Sequence, residues 1–273
     1  MKRKVFVTVS FFFFLCLVLL TYGQFTLDEI AQREEIEEFL KTAEIIKSEK
    51  VGEGVTKPLR LYLKSGEKEM SGLWKNPRGV KQGYLEGWQY EIAAYEMDKL
   101  LGLNMIPPTV EKKLGKKSGS LQLWVENTFS DLERMNKKIQ IPENKQLAWS
   151  RSKYLMRAFD SLIGNEDRTQ QNIRYSKDWR MILIDHSRSF RSTREFRVRL
   201  VFGKNGIQGA KLFRQLPREF VEKIKTLEYD KIKAAVGPYL EDKEIDSILK
   251  RKELILREID GMIEEKGENK VLY

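Results

Sequence analysis

The stretch from Asn165 to Phe190 leaves this chain few ways to fold. Ile173 to Tyr175 and Arg180 to Ile184 are strand-like runs, and they predict a short hairpin around Ser176-Lys-Asp178. Asn172 and Asp185 then stand at opposite ends of one ribbon, and Asp167 precedes Asn172 by five positions. The pattern supplies a candidate base, Asp167, and two hard oxygen ligands, Asn172 and Asp185, of the kind that suits magnesium. Phosphoryl transfer asks for such a set: charge neutralised around phosphates and an acceptor held in line, with little covalent help from the protein.

Other chemistries are excluded more firmly. His186 is the only histidine, which rules out a conventional Ser-His-Asp hydrolase and any multi-histidine metal site. Cys16 is the only cysteine and lies in an N-terminal apolar run, so the remainder needs no disulfide. In that run Lys2, Arg3 and Lys4 precede Val5 to Leu20, and Thr21-Tyr-Gly23 offers small residues at the cleavage-determining positions. Residues 1–23 therefore read as a secretory signal cleaved before Gln24, or as an uncleaved signal anchor, the only membrane contact expected. Either reading sends the rest of the chain across a membrane.

With 273 residues, 41% of them hydrophobic and 33% charged, the chain reads as one folded, two-lobed domain. The formal charge of +10 falls to +7 without the three cations of the leader, which contains no acid. An anionic partner is favoured, but basic residues alternate with acids over most of the chain, and nucleic acid is not expected.

The order of elements predicts an α+β architecture, with a small β-rich lobe over residues 24–126 and a mostly helical lobe over 127–273. Thr26-Leu-Asp-Glu29 has the form of a capping box, and apolar spacing predicts a helix through about Ile46. Gly52 and Gly54 lie in a loop opening a hairpin, where backbone amides can approach phosphates. Leu59, Leu61 and Leu63 alternate with polar residues as a strand, and Met70 to Lys75 is its antiparallel return. Lys75 is the candidate for the nucleotide's phosphates. Its partner is a carboxylate on the helix expected from Glu86 to Leu101, Glu91 in first place and Glu96 in second. Thr109 to Leu114 and Ser120 to Val125 predict a second hairpin, after which Trp124-Val-Glu126 joins the lobes, with main-chain groups able to read an adenine edge. Helices are expected over Asn144 to Ile163 and around Ile245 to Ile263, and there is no internal repeat. Arg168, Arg188, Arg191, Arg194, Arg197 and Arg199 flank the acidic motif, either as a grip for an anion or as a solvated basic loop.

Together these residues resemble a family. Val51-Gly-Glu-Gly-Val-Thr-Lys-Pro58, Gly72-Leu-Trp-Lys75, Glu91-Ile-Ala-Ala-Tyr95, Gly102-Leu103 with Pro107-Pro108, Gly164-Asn-Glu-Asp-Arg168 with Asn172, and Ile184-Asp185 with Phe190 follow the order seen in atypical kinases. The nearest look is the group shared by HipA-like kinases, phosphoinositide kinase catalytic domains and secretory-pathway protein kinases, over roughly Phe39 to Ile263. The resemblance implies a bilobal protein-kinase-like fold and ATP with Mg2+, or Mn2+ in its place. It also implies Lys75 and Glu91 at the phosphates, Asp167 as the catalytic carboxylate, and Asn172 and Asp185 as metal ligands. Thr169 stands where these families often carry histidine, and Asp185-His-Ser replaces the Asp-Phe-Gly of typical protein kinases. The acceptor hydroxyl could belong to a protein, a lipid or a glycan. A non-catalytic kinase-like binding module and an adenylyltransferase remain the alternatives.

Overall fold

A computed structural model of the protein describes residues 25–52, 58–81, 83–209 and 213–273. The segment expected to be a signal, residues 1–23, and Gly54 lie outside the described residues. No helix among the described residues is long and apolar enough to cross a membrane.

The first half of the chain builds an antiparallel sheet on a helical base. Helix α1 (Leu27–Ala31) opens on the expected capping box: Thr26 Oγ1 accepts the Glu29 amide at 3.2 Å, and the Glu29 carboxylate accepts the Thr26 amide at 2.6 Å. The helix expected through Ile46 ends sooner. Helix α2 (Arg33–Thr42) stops before Ala43, and Glu44–Lys50 is instead a strand, β1, paired with β2 (Leu59–Ser65). Strand β1 is an edge strand and is largely solvent-exposed, so it carries none of the apolar alternation that marks a half-buried strand. β3 (Lys68–Lys75), β6 (Thr109–Leu114) and β7 (Lys117–Leu123) complete the sheet in the order β1-β2-β3-β7-β6. Phe39, Leu40 and Ala43 of the helical layer meet Leu61, Leu63, Trp74 and Leu121 in a small core beneath it. Gly119 is needed there, because a Cβ at that position would collide with the Lys75 carbonyl oxygen.

Between β3 and the next helix lies a hairpin that alternation did not foretell, β4 (Arg78–Lys81) with β5 (Tyr84–Gly87). It takes Glu86 away from the expected helix, so α3 runs Gln89–Leu101 and ends on Gly102 in the left-handed conformation at φ 67°. The expected ribbon forms as β9 (Ile173–Tyr175) with β10 (Met181–Leu183), joined on its outer side by β8 (Phe129–Ser130). The remainder is helical: α4 (Asp131–Asn136), α5 (Gln146–Ile163), α6 (Arg194–Val198), α7 (Arg218–Lys225), α8 (Tyr229–Val236), α9 (Asp242–Lys266) and α10 (Glu268–Val271). Helix α3 contributes Ala93, Ala94, Tyr95 and Met97 to the main core with Phe159 and Leu162 of α5 and Ile248, Ile255 and Ile259 of α9. The helix carrying Glu91 is therefore held by the helical half as well as by the sheet.

Candidate active site

Lys75 is the last residue of β3 and lies on the face of the strand opposite Trp74, which packs into the small core with Leu61 and Leu121. Its ammonium donates to Glu91 Oε1 at 2.9 Å and to Asp185 Oδ1 at 2.8 Å. Of the two glutamates considered, Glu91 makes this contact, while Glu96 pairs with Lys99 three residues on. Lys75 and Glu91 are buried and the Asp185 side chain is partly open. Burial works against the charge on Lys75, but the carboxylates of Asp185 and Glu91 outweigh it and hold its pKa above the ordinary lysine value. Burial likewise opposes ionisation of Glu91, and Lys75 together with the contacts from His186 holds that carboxyl well below the usual range.

The second wall follows α5. Gly164 caps that helix at φ 63° and turns the chain into Asn165, whose amide groups return to Asp160. Asp167 then sits in a tight loop, with its carbonyl accepting from the Thr169 amide at 2.9 Å and from Asn172 Nδ2 at 3.0 Å. This last bond fixes Asn172 through its nitrogen and leaves its amide oxygen as a donor atom for a cation. Burial lifts the Asp167 carboxyl above the ordinary value, Arg188 pulls it back, and Asp185 adds to the rise. Asp185 has a left-handed backbone, φ 61°, which is uncommon for a non-glycine residue and typical of functional segments.

One residue organises this loop, and its role was not visible in the spacing. Arg168, expected as a grip for an anion or as part of a basic loop, does neither. It is buried, and it forks onto Asp160 with two bonds of 2.9 Å. Its third nitrogen donates to the carbonyls of Asn172 at 3.0 Å and Ile184 at 2.9 Å. These residues adjoin at the open end of the ribbon, where the Ile184 amide donates to the Asn172 carbonyl at 3.2 Å, so Asn172 and Asp185 flank one end of it and not opposite ends as expected, because antiparallel pairing returns the chain to where it started. The same guanidinium lies 2.7 Å from His186 Nε2, which must therefore accept, so the ring proton resides on Nδ1 facing Glu91. Burial and the Arg168 charge push the His186 pKa down, and the ring is neutral. The His186 amide also donates to Glu91 Oε2 at 2.9 Å. A neutral imidazole thus lies between Glu91, the partner of Lys75, and the Arg168 hub.

The other arginines divide between ion pairs and solvent. Arg188 forks onto the buried Glu86 of β5 at 2.8 and 2.7 Å and lies 3.5 Å from Asp167. Arg191 pairs with Glu166, Arg199 pairs with Glu195, and Arg194 and Arg197 belong to exposed turns of α6. The β4–β5 hairpin is further tied to the segment that follows Asp185 by the Gly87 amide, which donates to the Ser187 carbonyl at 3.0 Å.

A cavity of about 220 Å³ opens beside this cluster, between Leu73, Leu123 and Val125 on one side and Ile182 and Ile184 on the other. Trp124 and Glu126 border it. The Trp124 amide is committed to Ser71, the Trp124 ring stacks under Arg60 at 4.4 Å, and Glu126 pairs with Arg60. The slot combines these apolar walls with polar side chains such as Gln122, Thr128 and Arg174. Gly52 adopts φ 64° at the end of β1, in the β1–β2 connection. Among the described residues no cluster of three or more His, Cys, Asp or Glu side chains could hold a metal by itself. The donor set here is Asp185, the Asn172 amide oxygen and nearby Asp167. Oxygen donors of this kind fit a hard divalent cation.

No family model matches the sequence, and no curated protein matches it. Solved structures do. The fold superposes on a hydra Fam20 protein crystallised with sugar, with a TM-score of 0.68 and 15% identity over 91% of this chain and 94% of that one. The Golgi casein kinase with Mn/ADP bound gives 0.67 and 14%, over 92% of this chain and 80% of that one. The Helicobacter pylori proinflammatory kinase CtkA gives 0.51 and 12%, over 84% and 96%. At such identities the likeness is one of fold, and the fold of this chain is that of the atypical kinases.

Proposed function

We propose that this protein is an exported atypical kinase that transfers the terminal phosphoryl group of ATP to an acceptor hydroxyl. The observation that carries the reading is the bridge from Lys75 to both Glu91 and Asp185, with Asp167 and Asn172 on the adjoining loop. Lys75 would bind the nucleotide's inner phosphates, oriented by Glu91, and the slot at Val125 would take the base. Asp185 and Asn172 would hold Mg2+ or Mn2+, which when bound neutralises phosphate charge and aligns the transferred group. Asp167 would orient the acceptor hydroxyl and take its proton. Its raised pKa suits that task better than an ordinary carboxylate, since a stronger base accepts the proton more readily. The manganese and ADP bound in the Golgi casein kinase support a nucleotide with a divalent ion. The leader at residues 1–23 and the secretory location in that protein's name support export. The division into lobes near Glu126 belongs to the same proposal, with the nucleotide between them.

Incubation of the protein with ATP labelled on either the α or the γ phosphate tests the reading. Label from the γ position alone is expected to transfer. Transfer from the α position would mean adenylylation, and no transfer with retained binding would mean a binding module. Asp185→Ala is expected to abolish divalent-dependent ATP binding, as read by calorimetry. Asp167→Asn is expected to keep binding and lose turnover by at least about 100-fold.

A further inference from the structure

A second concavity, of about 560 Å³, is assembled from four separate parts of the chain. Arg151 and Tyr154 come from α5, Arg214 and Gln215 from the segment before α7, Lys266 from the end of α9, and Lys270 from α10. Four of these side chains are cationic, and no carboxylate lines the pocket. Elsewhere on this surface cations pair with acids, as Lys64 does with Glu69, Lys225 with Glu222 and Arg218 with Glu268. None of the four cations here forms an ion pair among the described residues.

The walls are also braced against one another. The Arg151 guanidinium lies 3.8 Å from the centre of the Tyr273 ring, and its Nε donates to Gln215 Oε1 at 3.4 Å. Gln215 Nε2 in turn donates to the Lys270 carbonyl at 3.3 Å. Stacking and these bonds hold the Arg151 fork in place ahead of any ligand, which lowers the entropy lost on binding. Four like charges in one concavity repel until an anion enters. Planar guanidinium forks and lysine point charges together match tetrahedral oxyanions. The volume is that of a small-ligand site, and four cations exceed what one phosphate can use.

We propose that this pocket binds a small polyanion carrying two or more clustered phosphate or sulfate monoesters. The proposal does not depend on phosphoryl transfer, because its readout is binding alone. Calorimetry at physiological salt would use inositol hexakisphosphate and, separately, a heparin-derived hexasaccharide, which distinguishes a phosphorylated small molecule from a sulfated glycan. Inorganic phosphate serves as the single-anion probe. One of the two polyanions is expected to bind at one site per chain and more tightly than phosphate. Arg214→Glu with Lys270→Glu, both exposed positions, is expected to weaken that binding roughly 100-fold through loss of two charge-assisted contacts. Lys116→Glu with Lys177→Glu, an equal charge change at exposed positions outside the pocket, is expected to leave it within about twofold. The proposal is overturned if neither polyanion binds, if the pocket variant binds as well as the parent, or if both variants weaken binding equally.

Discussion

Lys75 keeps two carboxylates close to each other that would separate without it. Removing its charge leaves Glu91 buried with only the His186 amide and ring beside it, and an uncompensated buried charge is costly. Lys75→Met is therefore expected to destabilise the fold by about 3 kcal/mol, measured by urea denaturation, in addition to weakening ATP binding. An unchanged midpoint would show that Glu91 is satisfied without the lysine. Arg188 acts on the other carboxylate. Its charge lowers a pKa that burial has raised, so Arg188→Gln should let the Asp167 pKa rise further. Because Asp167 must be ionised to act as a base, the acidic limb of the pH–rate profile is expected to move to higher pH in that variant. A limb that stays in place, or moves down, would remove Asp167 from the proton-transfer step. Local spacing pointed to Lys75 and Glu91, which the fold brings together with Asp185, and to the loop that carries Asp167 and Asn172. The partners that orient them were not legible. Arg188 meets Glu86 across 102 positions, and the choice of Asp160 for Arg168 depends on how α5 packs.

Elements were readable in proportion to how far one face of each is buried. Helix α9 and the β9–β10 ribbon announce themselves through apolar spacing, whereas the exposed β1 and the four-residue strands β4 and β5 have too few buried positions to leave a pattern. The hairpin matters nonetheless, since Glu86 and Gly87 fasten it to the Asp185 segment. The C-terminal turn of α3 hides another determinant. Asp98 is fully buried and accepts the Met105 amide at 2.9 Å, which folds the chain back after Gly102, and burial lifts its pKa to about 7. With the folded pKa above the unfolded one, the group's contribution is fully present below about pH 4 and is lost as pH rises through 7. Asp98→Asn retains an acceptor for Met105 but cannot ionise. Its melting temperature relative to the parent is expected to climb as pH increases from 4 to 8. A constant difference across that range would show that Asp98 does not titrate with folding.

At the scale of the whole molecule, order along the chain was enough to suggest the architecture, while the ties between its parts had to be seen in three dimensions. Helices α1 and α2 reach both halves: Glu37 accepts from Tyr95 and Lys99 of α3, and Glu29 pairs with Arg180 beside the ribbon. The deepest tie is Arg251 of α9, a fully buried cation with no carboxylate partner among the described residues. Its Nε donates to the Leu162 carbonyl at 2.8 Å, and its Nη1 donates to the carbonyls of Arg191 at 2.7 Å and Phe196 at 3.3 Å. It thereby joins the end of α5, just ahead of the Asp167 loop, to the segment that follows Asp185. Burial alone pushes its pKa down to about 9, so the charge survives at neutral pH at an energetic cost. A neutral side chain of similar length would recover that cost but leave three carbonyls unpaired, each bond to a charged donor contributing about 1.5–3 kcal/mol. The second effect is the larger. Arg251→Met is expected to lose about 2–4 kcal/mol of stability in urea, and Arg251→Lys, which can reach fewer carbonyls, should fall between. Below the unfolding transition the methionine variant should still bind ATP while turning over more slowly, because the loop carrying Asp167 loses its anchor and the nucleotide contacts do not. Full stability in the methionine variant would mean that the carbonyls find other donors and that α9 does not hold the loop.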